Sequence, residues 1–301
     1  MSFKNAIKLL CSKFSLVWGT LLFLVVMTTI VVSLATQPVI DLINWIKSTT
    51  LGDEFVVIWQ EFSRTGDFVP LLVSGLDVIS QAYSLLILNQ ELFLNFTLRM
   101  FFIVFFLYKF LLTTFENALT QVNRGFMTDN AKTGFFASYV SLFLSSLLYA
   151  LVKTIVFTLF NLIIIAVLYF SAKAVTSVPV FIPFVFMGIF IFFMALRSSL
   201  FFAWSPFVII EKTGVIKGLW YSIVLCFKNF SKVFIGYLVS WTLIVSTILF
   251  IGIFTLGIGL ILVIPTYMVF LSILNMTYFY GKTFRRYYVD NKIFETHILE
   301  I

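Results

Sequence analysis

Long apolar runs separated by short polar ones organise this chain, and the lengths of those runs set its class. Residues 14–35, 92–115, 147–170, 180–204, 233–254 and 260–280 each form an almost unbroken apolar stretch. A helix of about 20 apolar residues crosses the ~30 Å hydrocarbon layer of a bilayer. The pattern predicts an all-α fold, a polytopic membrane helical bundle of six transmembrane helices with interfacial amphipathic helices between them, in a single membrane domain over residues 1–301.

Two stretches need an argument. The first apolar run ends on Ser33-Leu34-Ala35, which has the small-residue spacing of a cleaved signal. Its apolar core is longer than the about 7–15 residues of secretory signals, so an uncleaved helix is expected. Residues 135–170 hold Lys153 as their single charge and no Gly or Pro. They read either as two short spans turning at Lys153 or as an interfacial piece, 135–146, leading into one span. Two spans would place Lys212, Lys217, Lys228 and Lys232 outside, against the tendency of basic residues to stay in the cytoplasm. One span is therefore expected, with Lys153 snorkelling to the inner interface.

The polar segments set the orientation. Lys4, Lys8 and Lys13 precede the first span. The outer loop, 36–91, carries Asp41, Asp53, Glu54, Glu61, Asp67, Asp77 and Glu91 against Lys47 and Arg64. That asymmetry places both termini in the cytoplasm. Apolar residues recur at helical spacing within the loop, so short amphipathic helices are expected on the outer face, with Trp45 and Trp59 at headgroup level. Residues 116–134 read as a polar cytoplasmic linker, and 173–179 as a short outer loop. Pro206 is expected to end a helix just after Trp204. In the inner interfacial helix, 214–228, Val215, Ile216, Leu219, Trp220, Ile223, Val224 and Phe227 form one apolar stripe, with Lys217, Ser222 and Lys228 off it. Such a helix lies in the inner headgroup layer with its lysines on anionic lipid, or serves as a plain linker. Leu256-Gly257-Ile258-Gly259 predicts a tight turn, and Pro265 a local kink.

Composition agrees with this reading. Hydrophobic residues make up 61% of the chain and charged ones 11%, with 39 Phe and a mean hydropathy of +1.09. Soluble domains carry about 25% charged residues. The net charge of +7 comes mostly from residues flanking apolar runs, so nucleic acid is not an expected partner. Membrane lipids are, together with other membrane proteins or a second copy of the chain. Cys11, Cys226 and His297 are too few for a disulfide framework, a zinc site or a cofactor centre, and no cofactor is expected. The sequence shows no Gly-rich phosphate loop, paired-His zinc motif or Gly-x-Ser-x-Gly elbow, so no enzymatic activity is expected. The outer-loop carboxylates read as a solvated face.

A resemblance covers residues 190–285. Arg197, Pro206, Glu211, Gly214, Ser222 and Lys228-Asn229-Phe230, followed by two spans with a short Gly turn, resemble the bacterial membrane domain of the glycerophosphoryl diester phosphodiesterase family and related multi-pass families. The resemblance implies a bacterial cell membrane and the same six-span layout. Some members of that family are fused to a soluble hydrolase domain. These 301 residues have no room for one, so the resemblance implies no hydrolase activity.

The candidate site residues are the ionisable groups at or in the membrane: Arg99, Lys109, Glu116, Lys153 and Arg197. Lys109, Thr113 and Glu116 are spaced four and three apart and share a helix face. A charge at the bilayer centre costs about 2.5–3.5 kcal/mol on insertion scales, so such groups face protein or water. They form a lipid-phosphate site or polar cavity, or they snorkel near helix ends with one interhelical ion pair. Two functions follow: a non-enzymatic scaffold or lipid-interacting component of the bacterial envelope, and a small transporter or lipid-translocating protein. Intramembrane Arg and Lys favour the second; the lack of repeated, Gly/Pro-broken spans weighs against it.

Overall fold

The structure is a computed structural model that describes residues 2–49, 51–66, 68–128, 134–174, 182–283, 285–289 and 292–294. Asp67, His297 and most of the short outer loop at 173–179 lie outside the described residues.

The described chain is almost wholly helical. It runs through α1 (Ser2–Ser12), α2 (Ser15–Lys47), α3 (Leu51–Thr65), α4 (Phe68–Leu88) and α5 (Gln90–Met100), then a π-helical segment at Phe101–Leu107. After it come α6 (Tyr108–Thr128), α7 (Phe135–Ala174), α8 (Ile182–Phe201), α9 (Trp204–Ile209), α10 (Val215–Lys228), α11 (Phe230–Phe254) and α12 (Leu260–Lys282). A two-stranded antiparallel hairpin, β1 (Tyr287–Val289) and β2 (Lys292–Phe294), follows; the sequence reading did not anticipate it. Six helical stretches are long and apolar enough to cross a membrane: Ser15–Lys47, Leu94–Thr128, Phe135–Ser171, Pro183–Ile209, Phe230–Phe254 and Leu260–Lys282. This is the all-α, six-span class that the apolar runs predict.

Several elements differ from the expected ones. The first helix continues through Pro38 to Lys47, where Ser48 and Thr49 hydroxyls cap the Trp45 and Ile46 carbonyls at 2.7 and 2.8 Å. Pro38 removes only one backbone N–H, and the turns on either side carry the helix past it. The segment read as a polar linker from 116 is helix through Thr128 and is largely buried. Residues 135–170 lie within one unbroken helix. At 40 residues, α7 is about 60 Å long, twice the thickness of a hydrocarbon layer. Pro206 is not the helix breaker; it sits in the first turn of α9, where a missing N–H costs nothing. The break comes earlier, at Phe202 and Ala203, between α8 and α9.

The chain forms two compact units. The first comprises Met1–Met27, Phe110–Phe160 and Ile191–Ile301. Its core is aromatic and aliphatic. Phe23 stacks on Phe115 with centroids 4.5 Å apart, and Phe135 closes on Phe115 at 4.9 Å. Amphipathic α1 packs along α12, burying Ala6 and Leu9, with Phe3 edge-on to Phe270 at 5.7 Å. Asn5 donates to the Tyr287 hydroxyl at 2.9 Å, tying α1 to the hairpin. Between α11 and α12, Leu256 and Gly257 take positive φ of 50° and 86°. The Gly257 N–H returns to the Gly252 carbonyl at 2.8 Å, which caps α11. The same two helices meet closely at Gly236, where any Cβ would overlap the Tyr278 hydroxyl.

The second unit comprises Thr28–Lys109 and Asn161–Phe190. Here α3 packs on α4, and α4 on α5. Asp53 and Glu54 open α3 and Arg64 closes it, each complementing the helix dipole. Gly66, at φ 68°, ends the α3 segment with its N–H on the Phe62 carbonyl. Val56, Val57 and Trp59 on α3 and Ile79 on α4 remain exposed.

Candidate functional site

The site grows from α6. Polar residues recur along it and reach α7, α9 and α12 of the first unit. Thr114 pairs with Tyr139 of α7 at 3.3 Å. Asn117 donates to Ser146 of α7 at 3.0 Å and accepts from Ser205 of α9 at 2.7 Å. Thr120 shares a hydrogen bond with the same Ser205 at 2.8 Å, and Asn123 donates to Ser272 of α12 at 2.9 Å. Four partners, Tyr139 and Ser146 of α7, Ser205 of α9 and Ser272 of α12, thus serve this one helix. In membrane proteins such interhelical bonds contribute about 0.6 kcal/mol each, so their main effect is to fix which helices meet and in what register.

A charged cluster adjoins this ladder at Glu116, the residue before Asn117. On α7, Ser146, Tyr149, Lys153 and Phe157 follow at spacings of three, four and four and share one face. The Lys153 ammonium forms an ion pair with Glu116 of α6 and donates to the Tyr149 hydroxyl at 3.0 Å. It also lies 4.8 Å from the centroid of the Phe157 ring. That same ring carries the Arg197 guanidinium of α8 at 4.9 Å. Tyr149 is fully buried and packs edge-on against Trp204 at 5.3 Å. Glu116 acts electrostatically on both cations, and the two cations oppose one another. The cluster thus sets one carboxylate beside two basic side chains.

The groups of the cluster differ in exposure. The Lys153 side chain is 4% exposed and that of Glu116 26%. Arg197 is half-buried. Of the five residues singled out from sequence, the structure brings Glu116, Lys153 and Arg197 together. Lys109 and Arg99 belong to the second unit; the Lys109 ammonium is buried, and Arg99 is exposed near the end of α5. Sequence reading missed Tyr149 and Phe157, although their spacing from Lys153 on an apolar helix signals them.

A second arrangement surrounds α10. The break between α8 and α9 frees backbone groups, and the Ser222 hydroxyl of α10 serves two of them. It donates to the Leu200 carbonyl at 2.9 Å and accepts from the Ala203 N–H at 3.2 Å. The Trp204 indole donates to the Val215 carbonyl at 2.9 Å, and Glu211 pairs with Arg285. The residues that α10 buries are Gly218, Ser222 and Cys226, at strict four-residue spacing. A Cβ at Gly218 would come within 3.1 Å of Thr213 and Val208, so glycine permits the close approach. Burial pushes the Cys226 thiol up to about 11, partly opposed by a hydrogen bond with Ser199. The bulky residues face the other way. Ile216, Trp220 and Phe227 are 73%, 63% and 65% exposed, beside exposed Lys217 and Lys228.

Comparison with family models, with curated proteins and with solved structures finds no match to this chain.

Proposed function

We propose that the protein is a non-enzymatic, lipid-interacting component of the bacterial cell membrane, with both termini in the cytoplasm and α10 lying in the inner headgroup layer. One observation carries this reading: α10 packs on the protein through Gly218, Ser222 and Cys226 and turns Ile216, Trp220 and Phe227 outward between lysines. An apolar face of that size has a low-energy place at the acyl boundary, where flanking lysines meet anionic headgroups. The resemblance of residues 190–285 to a bacterial membrane domain agrees with it and adds no activity.

The test is depth measurement in nanodiscs that contain anionic lipid. Spin labels at positions 216, 220 and 227 should relax with oxygen, and labels at 217 and 228 with a water-soluble nickel chelate. A label at 220 that is sheltered from both reagents would mean that protein covers this face.

A second reading, a small transporter, draws on the buried Lys153 and the partly buried Glu116 and Arg197 beside it. It predicts solute flux into proteoliposomes that Glu116→Gln abolishes.

A further inference from the structure

We infer that Lys232 of α11 and Lys282 of α12 together hold the phosphate of one anionic phospholipid, with an acyl chain lying along α11. The inference rests on the lipid-interacting reading above but concerns a different surface from the outward face of α10.

Helix register brings the two lysines together. The tight turn at Leu256 and Gly257 joins α11 to α12, and the two helices run antiparallel against one another. Near the turn, a Cβ on Gly252 would touch Leu260. Further along, Tyr237 donates to Asn275, and Gly236 lies against the Tyr278 hydroxyl. Lys232 comes four residues before Gly236, and Lys282 four residues after Tyr278. Each step covers about 6 Å of helix, and in an antiparallel pair both steps lead the same way. A four-residue step also keeps each lysine near the contact face of its own helix. The two ammonium groups are close enough to act on one another, and the effect is repulsive.

Among the described residues, no carboxylate offsets this pair. The described carboxylates of the first unit are Glu116 and Glu211, and these pair with Lys153 and Arg285. Lys232 also lies in the first turn of α11, the positive end of that helix dipole. Lys232 is exposed and Lys282 partly buried, so the pair is open to a ligand. A phosphate seated between them relieves the repulsion and offers an oxygen to each ammonium group.

The surface that continues from Lys232 favours a lipid over a free anion. Ile235, Val239 and Leu243 follow Lys232 at spacings of three, four and four, on the same face of α11. They are 57%, 46% and 49% exposed. This stripe leads from Lys232 into the span Phe230–Phe254, so an acyl chain attached to the phosphate would cover it. Inorganic phosphate would gain nothing from it.

The experiment is native mass spectrometry of the full chain, delipidated in detergent and titrated with phosphatidylglycerol, with diacylglycerol, and with inorganic phosphate as competitor. The wild type should retain one phosphatidylglycerol, bind diacylglycerol at least about tenfold more weakly, and resist millimolar phosphate. Lys232→Gln/Lys282→Gln should weaken phosphatidylglycerol about tenfold or more. Lys232→Arg/Lys282→Arg keeps both charges and should keep the lipid. Equal binding by wild type and the glutamine pair, loss in the arginine pair, or no preference over diacylglycerol overturns the site. Displacement by inorganic phosphate assigns the pair to a free anion and overturns the lipid. Lys212→Gln/Lys217→Gln, at the start of α10, should leave this lipid in place. Its loss there would move the phosphate to α10, overturning this site while sparing the broader reading.

Discussion

The Lys153 ammonium on α7 meets the Glu116 carboxylate on α6 in an ion pair that is closed on the lysine side and partly open on the glutamate side. The pair joins α6 to α7. Removing one partner leaves the other charge buried. Lys153→Met should therefore destabilise the folded protein towards the lower end of about 3–5 kcal/mol, because Glu116 keeps some water. Adding Glu116→Gln should restore most of that loss. Thermal unfolding of the single and paired variants in one detergent measures both; a paired variant no better than the single one would refute the pairing.

Gly236 and Tyr278 set the approach of α11 to α12. Gly236→Ala should cost about 1–3 kcal/mol through overpacking. Tyr278→Phe in the same chain should recover part of it, since the overlap is chiefly with the hydroxyl. Unfolding midpoints of the two variants test this.

Ser222 satisfies a donor and an acceptor exposed where α8 breaks. Ser222→Ala leaves both buried without a partner and should cost about 1–3 kcal/mol. Faster proteolysis between α8 and α9, beside an unchanged rate in the second unit, would show that the loss is local.

Cys226 predicts a pH effect. Burial raises its thiol from 9.0 to about 11, so folding favours the protonated form. The stabilisation is complete below pH 9.0 and is lost as pH rises through about 11. Wild-type stability minus that of Cys226→Ala should fall across that window, read from unfolding at stepped pH. At neutral pH, exposed Cys11 should react with a thiol reagent in detergent and Cys226 only after denaturation.

The spans were legible because length and hydropathy alone decide whether a helix can cross a bilayer. The course of α6 was not. Asn117, Thr120 and Asn123 read as linker, because the serines that satisfy them are remote; Ser272 lies 149 residues from Asn123. Glu116, Lys153 and Arg197 could be named from sequence as charges in an apolar setting. Their gathering around Phe157 depends on the packing of α6, α7 and α8, which no local pattern encodes. The apolar stripe of α10 was visible as well, but not which face the protein keeps. Gly218, Ser222 and Cys226 are small, and smallness rather than hydropathy selects the packed face. Pro206 misled because a proline ends helices from within yet begins them from the first turn.

The orientation has its own check. In a chain with Cys11→Ser and Cys226→Ala, a cysteine at Lys217 should resist an impermeant thiol reagent in intact cells and label after permeabilisation. Labelling in intact cells would place α10 outside and overturn the assignment of both termini to the cytoplasm.

The most direct test of the account is photocrosslinking from position 220 in living cells, with a benzophenone amino acid replacing the indole that α10 turns outward. The account predicts an adduct carrying the added mass of a phospholipid. An adduct to a second protein, or back onto this chain, would contradict it.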